Sequence, residues 1–347
     1  MVHKEPSLNC KNNFKAFRIA WLFPNMDIVK DPAYRIRRYN IYKELNKYNY
    51  LAVKNEMFVY GCKINTIDFN YFKAAYGEGD IDKFNNYLKD HFDIIVFFNV
   101  SEYDYKLIEK LTGLGKKCLF DHSENVFKLP YEDEIMNACT AISCCSTSLA
   151  SITDSYLKKI GIVKDIYIIK DSIESSKDII KAPTSTNRAV LMGGVGNIVN
   201  IANPLLEICK ESGYDFVTIS DIDYNKEYET KKWTPYTWID DMISCDVALC
   251  YNDPINFPAK SNIKVTTAMA LGLPVIANTI ESYKEAIMHE YNGYIAKNKD
   301  DWVKYLNLLK SNELRATIGL RAHNSAFEKY SIKKICLDFI SMISNIL

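Results

Sequence analysis

No stretch of the chain approaches the roughly 18 consecutive apolar residues that a membrane-spanning helix needs. The first fifteen residues are polar and carry no apolar signal-peptide core. The chain therefore reads as cytoplasmic, without a transmembrane segment, and peripheral contact with the inner membrane face stays open. There is no surplus of charge of either sign, since 43 basic residues face 43 acidic ones. A nucleic-acid binder ordinarily shows a basic excess, so no nucleic-acid partner is expected. None of the ten cysteines forms a C-x-x-C pair with metal-ligand spacing, and several, among them Cys118, Cys144, Cys145 and Cys250, lie inside apolar runs. They read as reduced, buried thiols.

What is present is the patterning of an α/β protein. The 347 residues suffice for two cores. Short apolar runs of strand length, such as 17–23, 93–99 and 117–120, alternate with helical periodicity, as in a parallel sheet. The polar stretch 171–187, with Pro183-Thr-Ser-Thr-Asn187, reads as an interdomain linker. It separates a first domain, 1–170, from a second, 188–330. A last helix over 331–347 carries Ile335, Phe339, Met342, Ile343 and Ile346 on one stripe. It either caps the second domain or crosses back to the first.

Three places attract chemistry. The richest is 257–295, which opens as loop, short helix, tight stop and buried strand. Ser261 is the expected N-cap, Gly272 the left-handed stop, and 273–277 the strand. A helix N-terminus aimed into a crevice binds anions, and Lys260 and Lys264 flank this one, which points to diphosphate binding. Gly193, Gly194 and Gly196 follow the first strand of the second domain, where glycines let backbone amides approach a phosphate. Asn197, Asn200 and Asn203 stand in the next turns, so the charge would come mainly from the two lysines. Asp221-Ile-Asp223 could be a metal-binding pair, but two carboxylates after a strand are more often a turn, and no metal is expected. Trp233 or Tyr236 either stacks on a base or simply packs.

The second place is the end of the 117–120 strand, where Asp121, His122 and Glu124 are expected at the crevice rather than in a core. The third is Arg35, Arg37 and Arg38. Three arginines opening a helix oppose its dipole, which hints at an acidic partner: an acceptor phosphate or a domain-closing carboxylate. A solvated basic face is the alternative.

As an ordered series, Ala268-Met-Ala-Leu-Gly-Leu-Pro-Val-Ile-Ala277, Glu285-Ala-Ile-Met-His-Glu-Tyr-Asn-Gly293 and the Trp302 helix resemble the donor-binding half of GT-B-fold glycosyltransferases of group 1, over about 188–330. Ala33-Tyr-Arg-Ile-Arg37 is similar to the segment opening the first helix of that group. Asp121, Glu124, Asn125 and Phe127 resemble a D-x-x-D-N-x-F pattern found in some members. The resemblance implies a GT-B fold: two Rossmann-like, doubly wound parallel-sheet domains facing across a cleft. It implies catalytic roles around Asp121, His122 and Glu124. It implies donor binding by Gly193, Gly194, Gly196, Trp233, Lys260, Ser261, Asn262, Lys264 and Thr267. The retaining subgroup usually carries a Glu-x7-Glu pair whose slots here hold Ala259 and Thr267, which puts ribose recognition and stereochemistry in doubt.

The expected activity is metal-independent transfer of a sugar from a nucleotide-diphosphate sugar to a hydroxyl of a glycan, lipid-linked or protein acceptor, in polysaccharide or glycoconjugate synthesis. No cofactor is expected beyond the donor substrate. A nucleotide-sugar epimerase and a non-catalytic partner subunit of a glycosyltransferase remain as alternatives.

Overall fold

The computed structural model describes residues 18–23, 35–48, 54–59, 62–63, 86, 88–98, 102–123, 131–182, 184–221 and 227–347. The chain divides into two compact units, one made of Met1–Lys170 and Ile332–Leu347, the other of Asp171–Ser331.

The sheet of the first unit has the order β3-β2-β1-β4-β5-β6-β7. Its strands are β1 (Arg18–Phe23), β2 (Lys54–Val59), β3 (Cys62–Lys63), β4 (Ile94–Phe97), β5 (Lys117–His122), β6 (Ala141–Cys144) and β7 (Asp165–Ile168). All pairings are parallel except β2 with β3. Strands β4 and β6 are buried along their whole length, as parallel strands covered on both faces must be. The helices include α1 (Asn40–Tyr48), entered through a π-helical turn at Arg35–Tyr39, α2 (Glu102–Gly113), α3 (Glu132–Ala138) and α4 (Thr147–Lys159). The last helix, α11 (Ile332–Ile346), lies in this unit. Its stripe of Ile335, Phe339, Met342 and Ile343 is buried with Ile19, Trp21, Ile41 and Leu45. Phe339 stacks on Trp21 at 5.4 Å between ring centroids. Side chains of this size contribute about 1.5–3 kcal/mol each when fully buried, so the stripe is enough to fix the helix there.

In the second unit the order is β10-β9-β8-β11-β12-β13, wholly parallel. The strands are β8 (Arg188–Met192), β9 (Asp215–Ser220), β10 (Glu229–Lys232), β11 (Val247–Cys250), β12 (Val275–Asn278) and β13 (Tyr294–Ala296). The order reverses between β8 and β11, and it is outside the carboxyl ends of strands at such a switch point that ligands bind. Helices α5 (Val195–Glu211), α6 (Trp238–Ile243), α7 (Ile263–Ala270), α8 (Glu281–Ala286), α9 (Lys299–Leu308) and α10 (Asn312–Tyr330) complete the unit. Two buried clusters fill it. One gathers Val190, Val265, Met269 and Tyr283, the other Leu191, Ile198, Trp302 and Leu306.

Gly272 ends α7 with φ 74, as expected of a left-handed stop. A Cβ there would also meet Ile180 at 2.7 Å. That contact belongs to 171–187, whose polar composition suggests a linker but which the second unit holds along its length. Ile173 is buried in the core and its N–H bonds the Tyr330 carbonyl at 2.9 Å. Lys181 N–H bonds Leu271 O at 2.8 Å. Buried Asp246 accepts from the hydroxyls of Thr184 and Thr186, and Arg315 donates to Thr184 O. Burial would raise the Asp246 carboxyl, but the Thr184 and Thr186 hydroxyls, the Arg315 guanidinium and the Arg188 N–H hold it below the ordinary carboxylate range.

Candidate active site

The switch point of the second unit is bounded by Gly193, directly after β8, and by Cys250, the last residue of β11. Lys264, in the first turn of α7, reaches into this corner. A Cβ on Gly193 would lie 3.0 Å from its Nζ and 3.4 Å from its Cε, so the missing side chain is what admits the amine. The Lys264 nitrogen is buried and has no hydrogen-bond partner among the described residues. Burial pushes its pKa down to about 8; the neighbouring Lys260 adds to that, and Cys250 partly opposes it. The same burial pushes the Cys250 thiol up to about 12. A buried ammonium without an acceptor is costly, and most buried polar groups find one. An anion placed in this corner would supply the missing acceptor.

The glycine turn is shorter than the sequence suggests. Helix α5 begins at Val195 with Gly194 as N-cap, which places Gly196 inside the first turn, with nothing near its missing Cβ. The Val195 N–H is bonded to Asp221 Oδ1 at 2.7 Å, and this bond leads in holding the Asp221 carboxyl below its usual range. Asp221 thus caps a helix, while Asp223 lies outside the described residues. Among the described residues no three His, Cys, Asp or Glu side chains gather as a metal set.

Several expected donor contacts prove to be internal braces. The N-cap of α7 is Asn262, one residue beyond Ser261. The Ser261 hydroxyl accepts from Ile263 N–H at 3.2 Å and donates to Asp171. Asn262 Nδ2 donates to Ser282 O at 3.1 Å and to the Tyr330 hydroxyl at 3.2 Å. The Ser261 hydroxyl and the Asn262 amide nitrogen are thus engaged in fixing the loop. The Trp233 side chain is half-buried against the core, which favours packing over base stacking, and its backbone N–H bonds Ser220 O at 2.6 Å. Tyr236 is 89% exposed. Lys260 sits over the Phe257 ring, 5.4 Å from its centroid. Thr267 is buried one turn after Lys264, and Ala259, in the other empty glutamate slot, is fully buried.

Asn252 and Asn278 carry no signal that composition or periodicity could reveal. They join the ends of β11 and β12 by reciprocal bonds: Asn252 N–H to Asn278 Oδ1 at 3.2 Å, and Asn278 Nδ2 to Asn252 O at 2.7 Å. Asn252 Nδ2 then reaches the Tyr283 hydroxyl at 2.6 Å. Polar residues closing two adjacent parallel strands are the only hint.

In the first unit β5 runs two residues further than expected, through His122. Asp121 and His122 are therefore strand residues that point to opposite faces. Asp121 accepts from Arg37 at 2.6 Å and from Ser143 at 2.7 Å, and it pairs with Arg38. Burial alone would raise its pKa, but the two guanidinium groups and the Ser143 hydroxyl hold it below the ordinary carboxylate value. Arg37 also donates to Ile169 O at 2.8 Å, and Arg38 lies 3.5 Å over the Phe98 ring. Arg37 and Arg38 thus find an acidic partner in this carboxylate of their own unit. Arg35 is half-buried. His122 is buried, with Nδ1 3.2 Å from Thr153 Oγ1 and its ring stacked on Phe120. Asp121 and His122 are thus both engaged inside the unit, and Glu124 lies outside the described residues.

Residues 262–329 match the family model for glycosyl transferases group 1, a narrower span than the expected 188–330. That segment is similar to group 1 glycosyltransferases, and the fold is that of GT-B structures. That segment runs from the Asn262 corner through α10 and includes Lys264. Along nearly its whole length the chain is similar to solved structures. A glycosyltransferase from Rickettsia africae matches with TM-score 0.69 and 11% identity, over 96% of this chain and 99% of that one. HepE from Anabaena in complex with UDP matches with TM-score 0.66 and 12% identity, over 94% and 100%. Sucrose-phosphate synthase from Thermosynechococcus elongatus matches with TM-score 0.65 and 10% identity, over 95% and 98%. No curated protein matches the sequence.

Proposed function

We propose that the chain transfers a sugar from a nucleotide-diphosphate sugar to a hydroxyl acceptor, in polysaccharide or glycoconjugate synthesis, without using a metal ion to hold the diphosphate. The observation that carries this reading is the buried amine of Lys264, which has no acceptor among the described residues and stands against Gly193 at the switch point of the second unit. Solved structures of similar fold hold UDP, and HepE also holds UDP-glucose.

In the transfer, the acceptor oxygen bonds to the anomeric carbon and loses its proton. The bond from that carbon to the diphosphate oxygen breaks, and its electron pair leaves with the nucleotide. Negative charge builds on the departing phosphate. Lys264, already positioned in a corner shut from water, neutralises it, with Lys260 nearby; a cation placed in advance does most where charge develops. With Ala259 and Thr267 in the glutamate slots, no carboxylate grips the ribose there, which favours recognition through the diphosphate.

A thermal-shift series with UDP-, GDP-, TDP- and CMP-sugars tests the reading. A ligand bound only by the folded form raises its melting temperature. One or more diphosphate sugars should do so in wild type and lose the effect in Lys264→Met. No shift with any of them, or an undiminished shift in the variant, overturns the assignment.

A further inference from the structure

The chain passes between its two units twice, after Lys170 and after Ser331. On the second unit's side the two passages meet, since Ile173 N–H bonds Tyr330 O at 2.9 Å. Each contributes one side chain to the same dipeptide. Asp171, 5% exposed, accepts from the Ser261 hydroxyl, which also receives Ile263 N–H at 3.2 Å. Tyr330, 1% exposed, takes Asn262 Nδ2 on its phenol oxygen at 3.2 Å. Asn262 is further bonded to Ser282 O, and the Ser282 hydroxyl donates to Lys260 O. Ser261 and Asn262 form the corner between Lys260 and Lys264, so both lysines hang from a bracket whose far ends are the two passages.

We propose that Asp171 and Tyr330 are positioning residues that tie the Lys260–Lys264 corner to both passages of the chain, so that a diphosphate seated on the lysines stiffens the passages. The inference rests on the proposed diphosphate site. Its physical basis is a continuous run of hydrogen bonds in which Asp171, Asn262, Ser282 and Tyr330 are buried and Ser261 is half-buried. Restricting one end of such a network restricts the groups it holds, and the coupling is reciprocal.

Hydrogen exchange on the full chain, with UDP as probe at saturating concentration, tests it. In wild type, UDP should slow exchange at 193–197, at 260–266 and at both passages, 171–175 and 328–334. At the passages a slowing of about fivefold or more is expected, the low end of common couplings between sites. In Asp171→Ala and in Tyr330→Phe, slowing at 193–197 should persist while slowing at the passages falls away. Asp171→Asn, which keeps an acceptor for Ser261, should restore it. Tyr330→Phe keeps the ring in its cavity, so the test survives if Asp171→Ala fails to fold. Slowing at 193–197 without slowing at the passages in wild type, or unchanged passage slowing in Tyr330→Phe, overturns the coupling alone. No slowing anywhere overturns the diphosphate reading and this inference with it.

Discussion

Each unit buries positive charge beside the end of a parallel strand, and the two places are answered differently. In the first unit Arg37 and Arg38 converge on Asp121, with Ser143 and the Ile169 carbonyl filling further bonds. In the second, the Lys264 amine lies beside Gly193, Cys250 and Lys260 and meets no acceptor among the described residues. The first arrangement is closed in that both guanidinium groups meet a carboxylate of the same unit. The second is open in that its amine has no such counter-charge among the described residues.

The largest expected effect breaks the closed cluster. Asp121→Asn leaves two buried guanidinium groups facing a neutral amide, and breaking a buried pair by removing one partner costs about 3–5 kcal/mol. Urea unfolding should show a loss of that order; a loss under about 1 kcal/mol would mean the arginines are answered elsewhere and the contrast is false.

The opposite sign is expected at the open site. Lys264→Met replaces a buried, unpartnered amine by an apolar group of similar length. The unfolding free energy should hold or rise by about 1 kcal/mol, since an unsatisfied buried donor is itself a penalty of about 1–3 kcal/mol. A clear loss of stability would show that the amine is a structural group.

A pH series sharpens the same point. With a folded pKa of about 8, against 10.5 for a free lysine, the empty corner favours the neutral amine. A bound diphosphate favours the charged one. Affinity for UDP should therefore be nearly level below pH 8 and fall above it, by up to about tenfold per pH unit, because binding must then take up a proton. The apo fold should show the reverse trend and gain stability as pH rises from 8 toward 10.5. A flat affinity profile from pH 7 to 9.5 would remove Lys264 from the site.

Gly193→Ala makes the mildest change. Its Cβ would stand 3.0 Å from the amine and push the flexible end of Lys264 aside by a few tenths of an ångström. UDP affinity should drop severalfold, with unfolding altered by under about 1 kcal/mol. Unaltered affinity would show that the amine does not depend on that glycine.

What could be read from the sequence follows the same division. Apolar strands, the Gly272 stop and the strand after it are local patterns, and they stand where periodicity and turn chemistry put them. Strand β10 escaped notice because Glu229-Thr-Lys-Lys232 is an edge strand carrying charge, which masks the usual apolar signal. The burial of His122 has a reason no local pattern contains. Its burial depends on Thr153 from a helix 31 residues away, and two extra residues of strand turn it to the opposite face from Asp121. Ser261 and Asn262 likewise look like ligand groups until Asp171 and Tyr330, distant in sequence, are found holding them. Lys264 stood out in the sequence as a cation near a helix start. That its amine would be buried against Gly193, about seventy residues away, required the fold.

The most direct test is calorimetric titration of UDP into wild type and Lys264→Met at pH 7.5. Binding by wild type with a loss of about ten- to hundredfold in the variant is expected for a charged hydrogen bond of about 1.5–3 kcal/mol. Equal affinities, with both proteins folded, would contradict the claim that this amine is the diphosphate's counter-ion.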